Sequence, residues 1–309
     1  MSTITADNRA HAPGTLAAGE PRGPLPKRLT ADRIGVYAFL IITAIFFLIP
    51  LWVMVVTSLK TMPEIRDGLL FNWPRELTFD PWIKAWSAAC TGIECRGLQP
   101  GFLNSVKITL LSVPISIVIA MINGYALSFW KYKSADFLFG VLMFGAFVPY
   151  QVVVYPMIIG MGRIGLFGTL TGIVLVHTAF GMPILTLLFR NFFTALPAEL
   201  FKAARVDGAG FWQVFFQIML PMSLPIAVVA LILQVTGIWN DFLFGLVFGG
   251  RENSPMTVQL NNIVQTTTGT REYNVNMAAT IITGLVPLFV YFVSGKWFVR
   301  GIAAGAIKG

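Results

Sequence analysis

Long apolar runs separated by short polar stretches set the pattern of this chain. Six of them, at residues 34–58, 105–129, 137–161, 168–189, 223–248 and 276–298, are long enough to span a bilayer. A helix needs ~20 residues to cross a hydrocarbon core of ~30 Å. The runs are continuous rather than alternating, which predicts helices and not the strands of a barrel. A helix also satisfies its own backbone groups within lipid. The expected fold is therefore an all-α integral membrane protein with six transmembrane helices over residues 34–300. The third and fourth spans are joined by only a few residues. A polar tail rich in Pro, Gly and Ala precedes the spans over 1–33 and is expected to be disordered. It has no apolar stretch followed by a cleavage site, so the first span is expected to act as the uncleaved insertion signal. A short tail follows over 301–309.

Composition agrees. Of the 309 residues 56% are hydrophobic and only 12% charged, with a mean hydropathy of +0.73, against about 25% charged in soluble domains. The net charge of +8 reads as topology, because no basic soluble face is available for nucleic acid. If both termini are cytoplasmic, that side holds 13 of the 22 Lys and Arg, leaving 9 on the other. Most of those nine lie in or beside the long first outward segment, which carries little orienting weight. The short loops thus place both ends inside. Cys90 and Cys95 both fall in the first outward segment, where the spacing allows a disulfide and equally allows two free thiols.

One polar stretch interrupts the apolar pattern on the cytoplasmic side, at about 191–222. The preceding span is expected to end near Arg190. "TALPAELFKAARV" carries helix-start signals: Thr194 to cap, Pro197 in the first turn and Glu199 at the positive end. At helical spacing Leu200, Ala203 and Ala204 share a face, with Glu199, Lys202 and Arg205 on the more polar side. Gly208 and Gly210 break this helix, Asp207 starts the next turn, and a second short amphipathic helix runs to Pro221. A helix–turn–helix at the membrane face is predicted. By composition alone it either packs passively on the bundle or docks a partner.

"KAARVDGAGFWQVFFQIMLP" resembles the EAA loop of permease subunits in ATP-binding-cassette importers, whose pattern is Glu-Ala-Ala, Asp-Gly-Ala and a terminal Leu-Pro. Ala203, Ala204, Asp207, Gly208, Ala209, Leu220 and Pro221 match it at the right spacing. "WNDFLF" resembles a motif of the carbohydrate branch, and "GIAAGAIKG" the tail of the maltose-type permease. The similarity runs from about residue 34 to the end, and the whole chain looks close to glucose/mannose-type members. The resemblance implies a cytoplasmic coupling helix that docks in a cleft of an ATPase subunit and moves when two such subunits close on ATP. Lys202 stands where the family has Glu; Glu199, three residues earlier, is a candidate substitute. The resemblance also implies a tail contact with the ATPases through Gly305, Lys308 and Gly309. Implied partners are a second homologous permease, two ATPases and an extracytoplasmic sugar-binding protein. The chain has no phosphate-cradling G-x-x-x-x-G-K, so it is not expected to be an enzyme, and ATP and Mg would be bound by the partner ATPases.

Few groups within the spans suit a substrate path. Asn123, Tyr125, Tyr150 and Gln151 offer amides and phenols, as does Tyr155, although tyrosines near helix ends also serve as interfacial anchors. Trp239, Asn240 and Asp241 form the Trp-Asn motif. Asp241 either lines the path or holds Trp239 and Asn240 in place, and His177 reads first as a packing residue. In maltose-type systems the partner permease holds most of the sugar. The outward stretch 249–275 is polar and long. The resemblance makes its tip, with Gln265, Thr266, Gly269 and Arg271, a candidate contact with the binding protein; a plain solvated loop is the alternative. Two rival functions remain in view: an ion-coupled secondary transporter, which would want charges in several spans, and a permease of the same type for a non-sugar solute. A non-transporting scaffold leaves the Asp-Gly-Ala loop unexplained.

Overall fold

The computed structural model describes residues 31–92, 94–130, 133–265 and 271–306. In chain order its elements are α1 (Ala31–Ser58), α2 (Met62–Arg66), α3 (Asp80–Ser87), α4 (Gln99–Phe129), α5 (Ala135–Phe147), α6 (Tyr150–Arg163) and α7 (Leu170–Thr194). The loop helices α8 (Ala198–Val206), α9 (Phe211–Val214), a π-turn (Phe215–Met219) and α10 (Leu220–Met222) follow. The chain closes with α11 (Leu224–Asn240), α12 (Leu243–Phe248), α13 (Met256–Gln265) and α14 (Tyr273–Ala306). Among the described residues there is no strand; a lone β-bridge pairs Cys90 with Cys95. Four helices are long and apolar enough to span a bilayer, and six spans result if each of two bent pairs, α5 with α6 and Phe211–Met222 with α11 (76°), counts as one. Most of residues 1–33 lie outside the described residues, although α1 already begins at Ala31.

The chain divides into two units at Pro50. In the first, the described residues form one helical segment whose side chains are nearly all exposed and apolar, as a lipid-facing surface requires. The second unit is built around the pairing of α4 with α7. At their crossing Gly124 replaces a side chain with nothing: a Cβ there would stand 2.7 Å from Phe189 Cβ and 2.8 Å from the Arg190 nitrogen. Ser128 closes the same contact by donating to the carbonyls of Gly124 (2.7 Å) and Arg190 (3.2 Å). Small residues at a close crossing are the expected device where lipid supplies no hydrophobic drive between helices.

Two predicted spans are broken. The run 137–161 is α5 and α6, bent by 102°. Val148, which precedes Pro149, takes an extended backbone (ψ 122°) because a proline disfavours α geometry in the residue before it. The run 223–248 breaks at Asp241, which is extended (ψ 131°). Its carboxylate accepts from the Phe244 N–H at 3.3 Å and the Gly245 N–H at 2.9 Å, capping α12 in the way Asp favours. The outward stretch 249–275, read as a loop, contains α13, whose Met256, Val258 and Ile263 are buried. α13 is seated by the Met256 N–H donating to Ser105 Oγ at 2.9 Å. The last helix does not stop near 298 but continues through Gly305 to Ala306, so most of the predicted tail extends a span; Lys308 and Gly309 lie outside the described residues.

Candidate functional site

The polar loop folds as a helix–turn–helix, with its boundaries shifted. α7 runs to Thr194 rather than Arg190, so Thr194 does not cap the next helix; its hydroxyl donates to Asn191 O within its own last turn. Pro197 takes the cap position without a side-chain bond. α8 then ends at Val206 with Asp207 as its C-cap, and the turn is completed by Gly208 at φ +81°, a region costly for other residues. Arg205 locks the turn by donating to Ala209 O at 2.9 Å, with its guanidinium 4.9 Å from the Trp130 ring centroid. Gln213 accepts from the Gly210 N–H at 2.8 Å. The following helix widens into a π-turn just before Leu220 and Pro221. Pro221 has no N–H to give, and the Leu220 N–H bonds five residues back to Phe215 O.

The face expected from spacing is only partly the buried one. Ala204 is buried, while Ala203 and Leu200 are exposed. The inward side is carried instead by Phe201, stacked on Phe129 at 4.8 Å. This leaves Glu199, Ala203 and Val206 on one solvent-facing side, flanked by Lys202 and Asp207; Val206 is 86% exposed. Ala209 packs at the edge of the core beneath the loop.

That core is aromatic. Tyr125, proposed above for the substrate wall, is fully buried here: its ring lies 4.7 Å from Phe211 and 5.7 Å from Phe215, and its hydroxyl donates to Phe211 O at 3.3 Å. It ties α4 to the loop and lines neither of the two cavities that Phe244 borders. Phe129, Trp130, Phe193 and Phe215 complete the cluster. The sequence carried a signal for it in the paired aromatics at 129–130, 192–193, 211–212 and 215–216, all at span or loop ends.

A second set of groups lies deeper. A cavity of ≈ 610 Å³ is lined by Tyr150, Met157, Phe180, Pro183 and Phe244 among others. A neighbour of ≈ 360 Å³ shares Phe180, Ile184 and Phe244 and is lined also by His177, Gln234 and Asp241. Of the predicted path residues, Tyr150 and Asp241 are thus brought to one face. Trp239 is not: it is buried, its Nε1 donates to Thr283 O at 3.1 Å, and it packs on Phe102, joining α11 to α14. Asn123 is half-buried, and Gln151, Tyr155 and Asn240 are exposed; none of these four lines either cavity. His177 packs as expected and faces Asp241, with Nε2 3.9 Å from Oδ2. Gln234 donates to Ser116 Oγ at 3.1 Å and His177 O at 3.3 Å, binding three helices. Phe180 and Phe244 were missed because aromatics inside an apolar run look like any other core residue.

At the other end, Cys90 and Cys95 form a disulfide. It brackets Glu94, which meets Arg251 at 2.9 Å. Gln265 is the last residue of α13 and Arg271 is exposed; Thr266 and Gly269 lie outside the described residues.

With this geometry in place, similarities become informative. A family model described as "Binding-protein-dependent transport system inner membrane component" matches residues 112–304. A probable ABC transporter permease protein of Pyrococcus horikoshii is 34% identical over 284 residues, covering 92% of this chain and 100% of that protein. The arabinooligosaccharides transport system permease protein AraQ of Halalkalibacterium halodurans is 31% identical over 278 residues, covering 88% and 94%. A chain from the crystal structure of a bacterial ABC transporter involved in the import of the acidic polysaccharide alginate superposes with a TM-score of 0.72 at 20% identity, covering 89% of this chain and 100% of that one; at that identity it shares the fold. The chain belongs to the family of binding-protein-dependent transport system inner membrane components. It is a multi-pass permease subunit of an ABC importer.

Proposed function

We propose that this chain is one of two homologous permeases in an inner-membrane importer of carbohydrate, with both termini cytoplasmic. The observation that carries the coupling role is the exposed side of α8, presented on a turn fixed by Gly208 and Arg205 and joined to α4 through Tyr125. A stiff helix joined to a span transmits a partner's movement; a loose loop would absorb it. Glu199, Lys202, Ala203 and Asp207 are the contact residues toward an ATPase, with Ala204, Gly208, Ala209, Leu220 and Pro221 shaping the loop. By resemblance to the family, Gly305, Lys308 and Gly309 are assigned to contact with the ATPase pair, and Gln265, Thr266, Gly269 and Arg271 to contact with the binding protein.

The cavity face supports a carbohydrate. Tyr150, Phe180 and Phe244 offer flat rings for C–H faces, and Asp241 and Gln234 offer polar groups for hydroxyls. The names of relatives such as the arabinooligosaccharides permease point the same way. Within that class, the glucose/mannose-type reading rests on the overall look of the sequence. The test is uptake by the assembled importer in proteoliposomes. Transport of labelled sugar is expected to stop when ATP is withdrawn and to persist when an ionophore collapses the membrane potential. The reverse would favour an ion-coupled carrier. Competition among unlabelled glucose, mannose and pentoses reads the sugar.

A further inference from the structure

The segment between α1 and α3 is held unusually firmly for one that displays so much apolar surface. After α2 the chain turns at Gly68 (φ +81°) and folds back along the end of α1. Four hydrogen bonds fix its path. The buried Lys60 gives its ammonium to Leu69 O at 2.6 Å, and Trp52 Nε1 donates to Phe71 O at 3.1 Å. The Arg75 N–H donates to the buried Glu64 carboxylate at 2.9 Å, and the Thr78 N–H to Leu59 O at 3.1 Å. Outward from this frame project Leu70, Phe71, Trp73, Leu77 and Phe79, with Phe71 60% and Trp73 56% exposed.

The depth of the segment follows from Trp52. That residue lies six positions before the end of α1 at Ser58, hence about 9 Å down the helix at 1.5 Å per residue. A chain bonded to Trp52 has therefore descended beside a membrane span. Trp52 and Trp73 stand 5.8 Å apart, an aromatic pair of the sort enriched where headgroups meet acyl chains. The exposed apolar side chains of the segment are continuous with Leu51, Trp52 and Val55 of α1, which are also exposed and belong to a span.

We propose that residues 69–79 are an interfacial anchor that inserts Leu70, Phe71, Trp73, Leu77 and Phe79 into the leaflet at the disulfide-bearing end of the protein. The occupant of this surface is lipid. Residues 66–79 carry two basic and two acidic side chains (Arg66, Arg75, Asp67 and Glu76), so attachment is apolar and does not depend on anionic headgroups. The anchor fixes the height of the first outward segment, from which α3 and the disulfide turn continue.

Site-directed spin labelling tests this in the assembled importer. This chain's only two cysteines are paired with each other, so with partner subunits free of reactive cysteines a single introduced cysteine is labelled alone. Nitroxides at Phe71→Cys and, in a second variant, Phe79→Cys are compared with Ile42→Cys on the exposed face of α1 and Glu252→Cys in an exposed turn. Relaxation by oxygen and by an aqueous nickel chelate is measured in phosphatidylcholine liposomes with and without phosphatidylglycerol. Both anchor labels are expected to show an oxygen-to-nickel ratio several-fold above that of Glu252→Cys, with or without the anionic lipid. Nickel accessibility equal to that of Glu252→Cys would overturn the proposal. So would exclusion of both relaxants with an immobilised spectrum, which would place a protein partner on this surface, and so would insertion only in the presence of phosphatidylglycerol.

Discussion

The hydroxyl of Tyr125, deep between α4 and α7, donates to the backbone carbonyl of Phe211, the first residue after the loop's turn. This bond and the ring contacts around it join a span to the polar helix–turn–helix loop. Tyr125→Phe keeps the packing and removes the bond, at about 1 kcal/mol. Tyr125→Ala empties the aromatic cluster, at about 3–5 kcal/mol. The expected outcome is graded loosening. Phenylalanine should leave assembly intact and raise the ATP hydrolysed per sugar imported. Alanine should lower the melting temperature of the complex as well. Unchanged stoichiometry in Tyr125→Phe would mean that the ring alone makes the joint.

Gly208 separates backbone strain from steric clash. Its φ is +81°, yet nothing lies within 4 Å of where a Cβ would be. Gly208→Ala should therefore add only the left-handed penalty of about 1–2 kcal/mol and retain partial ATPase binding. Gly208→Pro cannot adopt that φ and also deletes the N–H that bonds Arg205 O, so co-purification of the ATPase should fall sharply while the permease stays in the membrane. Ala204→Trp should do the same by forcing α8 off its aromatic bed. Wild-type yield of ATPase with either of these last two variants would remove the loop from the interface.

Much of this was legible in the sequence, and the exceptions share a cause. Span positions follow from hydropathy because lipid penalises charge uniformly along a run. Breaks within a run do not change hydropathy: Val148-Pro149 and Asp241 interrupt two spans through backbone preference and capping, which single residues decide. The turn at Asp207-Gly208 was readable for the opposite reason, since glycine there is a direct statement about φ. The sequence puts Tyr125 on the substrate path through its phenol and Trp239 through the Trp-Asn motif. The phenol hydroxyl and the indole N–H are satisfied by backbone carbonyls of neighbouring helices, partners that depend on tertiary approach. α13 was read as loop because its polar residues outnumber the three that it buries.

Lys202 stands where the EAA pattern has Glu, and the fold shows what surrounds it. Glu199, Ala203 and Val206 share the solvent-facing side of α8, with Lys202 at its margin. If Glu199 supplies the acid that meets the ATPase, Glu199→Lys should weaken association at low salt, and the difference from wild type should shrink as salt screens it. Lys202→Glu should be neutral or improve association. Binding of the ATPase measured by titration in nanodiscs checks both. Equal affinity of Glu199→Lys and wild type at low salt would mean that docking here relies on shape alone.

Asp241 has two jobs that substitution can separate. Its carboxylate caps α12 through the Phe244 and Gly245 amides, and it also borders the smaller cavity opposite His177. Asp241→Ala removes the cap, worth about 0.5–2 kcal/mol, and should lower both the melting temperature of the complex and the uptake rate. Asp241→Asn keeps one of the two oxygens that accept these amides and replaces the other with an NH2 group, which cannot accept. Its melting temperature should therefore lie between those of wild type and Asp241→Ala. A neutral amide facing the cavity also changes what a hydroxyl finds there: a strong acceptor is replaced by one acceptor and one donor. The expected result for Asp241→Asn is a melting temperature between those of the alanine variant and wild type and a several-fold rise in the sugar concentration giving half-maximal uptake, with ATPase activity in the absence of sugar unaffected. An asparagine variant with wild-type uptake would confine Asp241 to capping and move the polar side of the path to Gln234 and Tyr150.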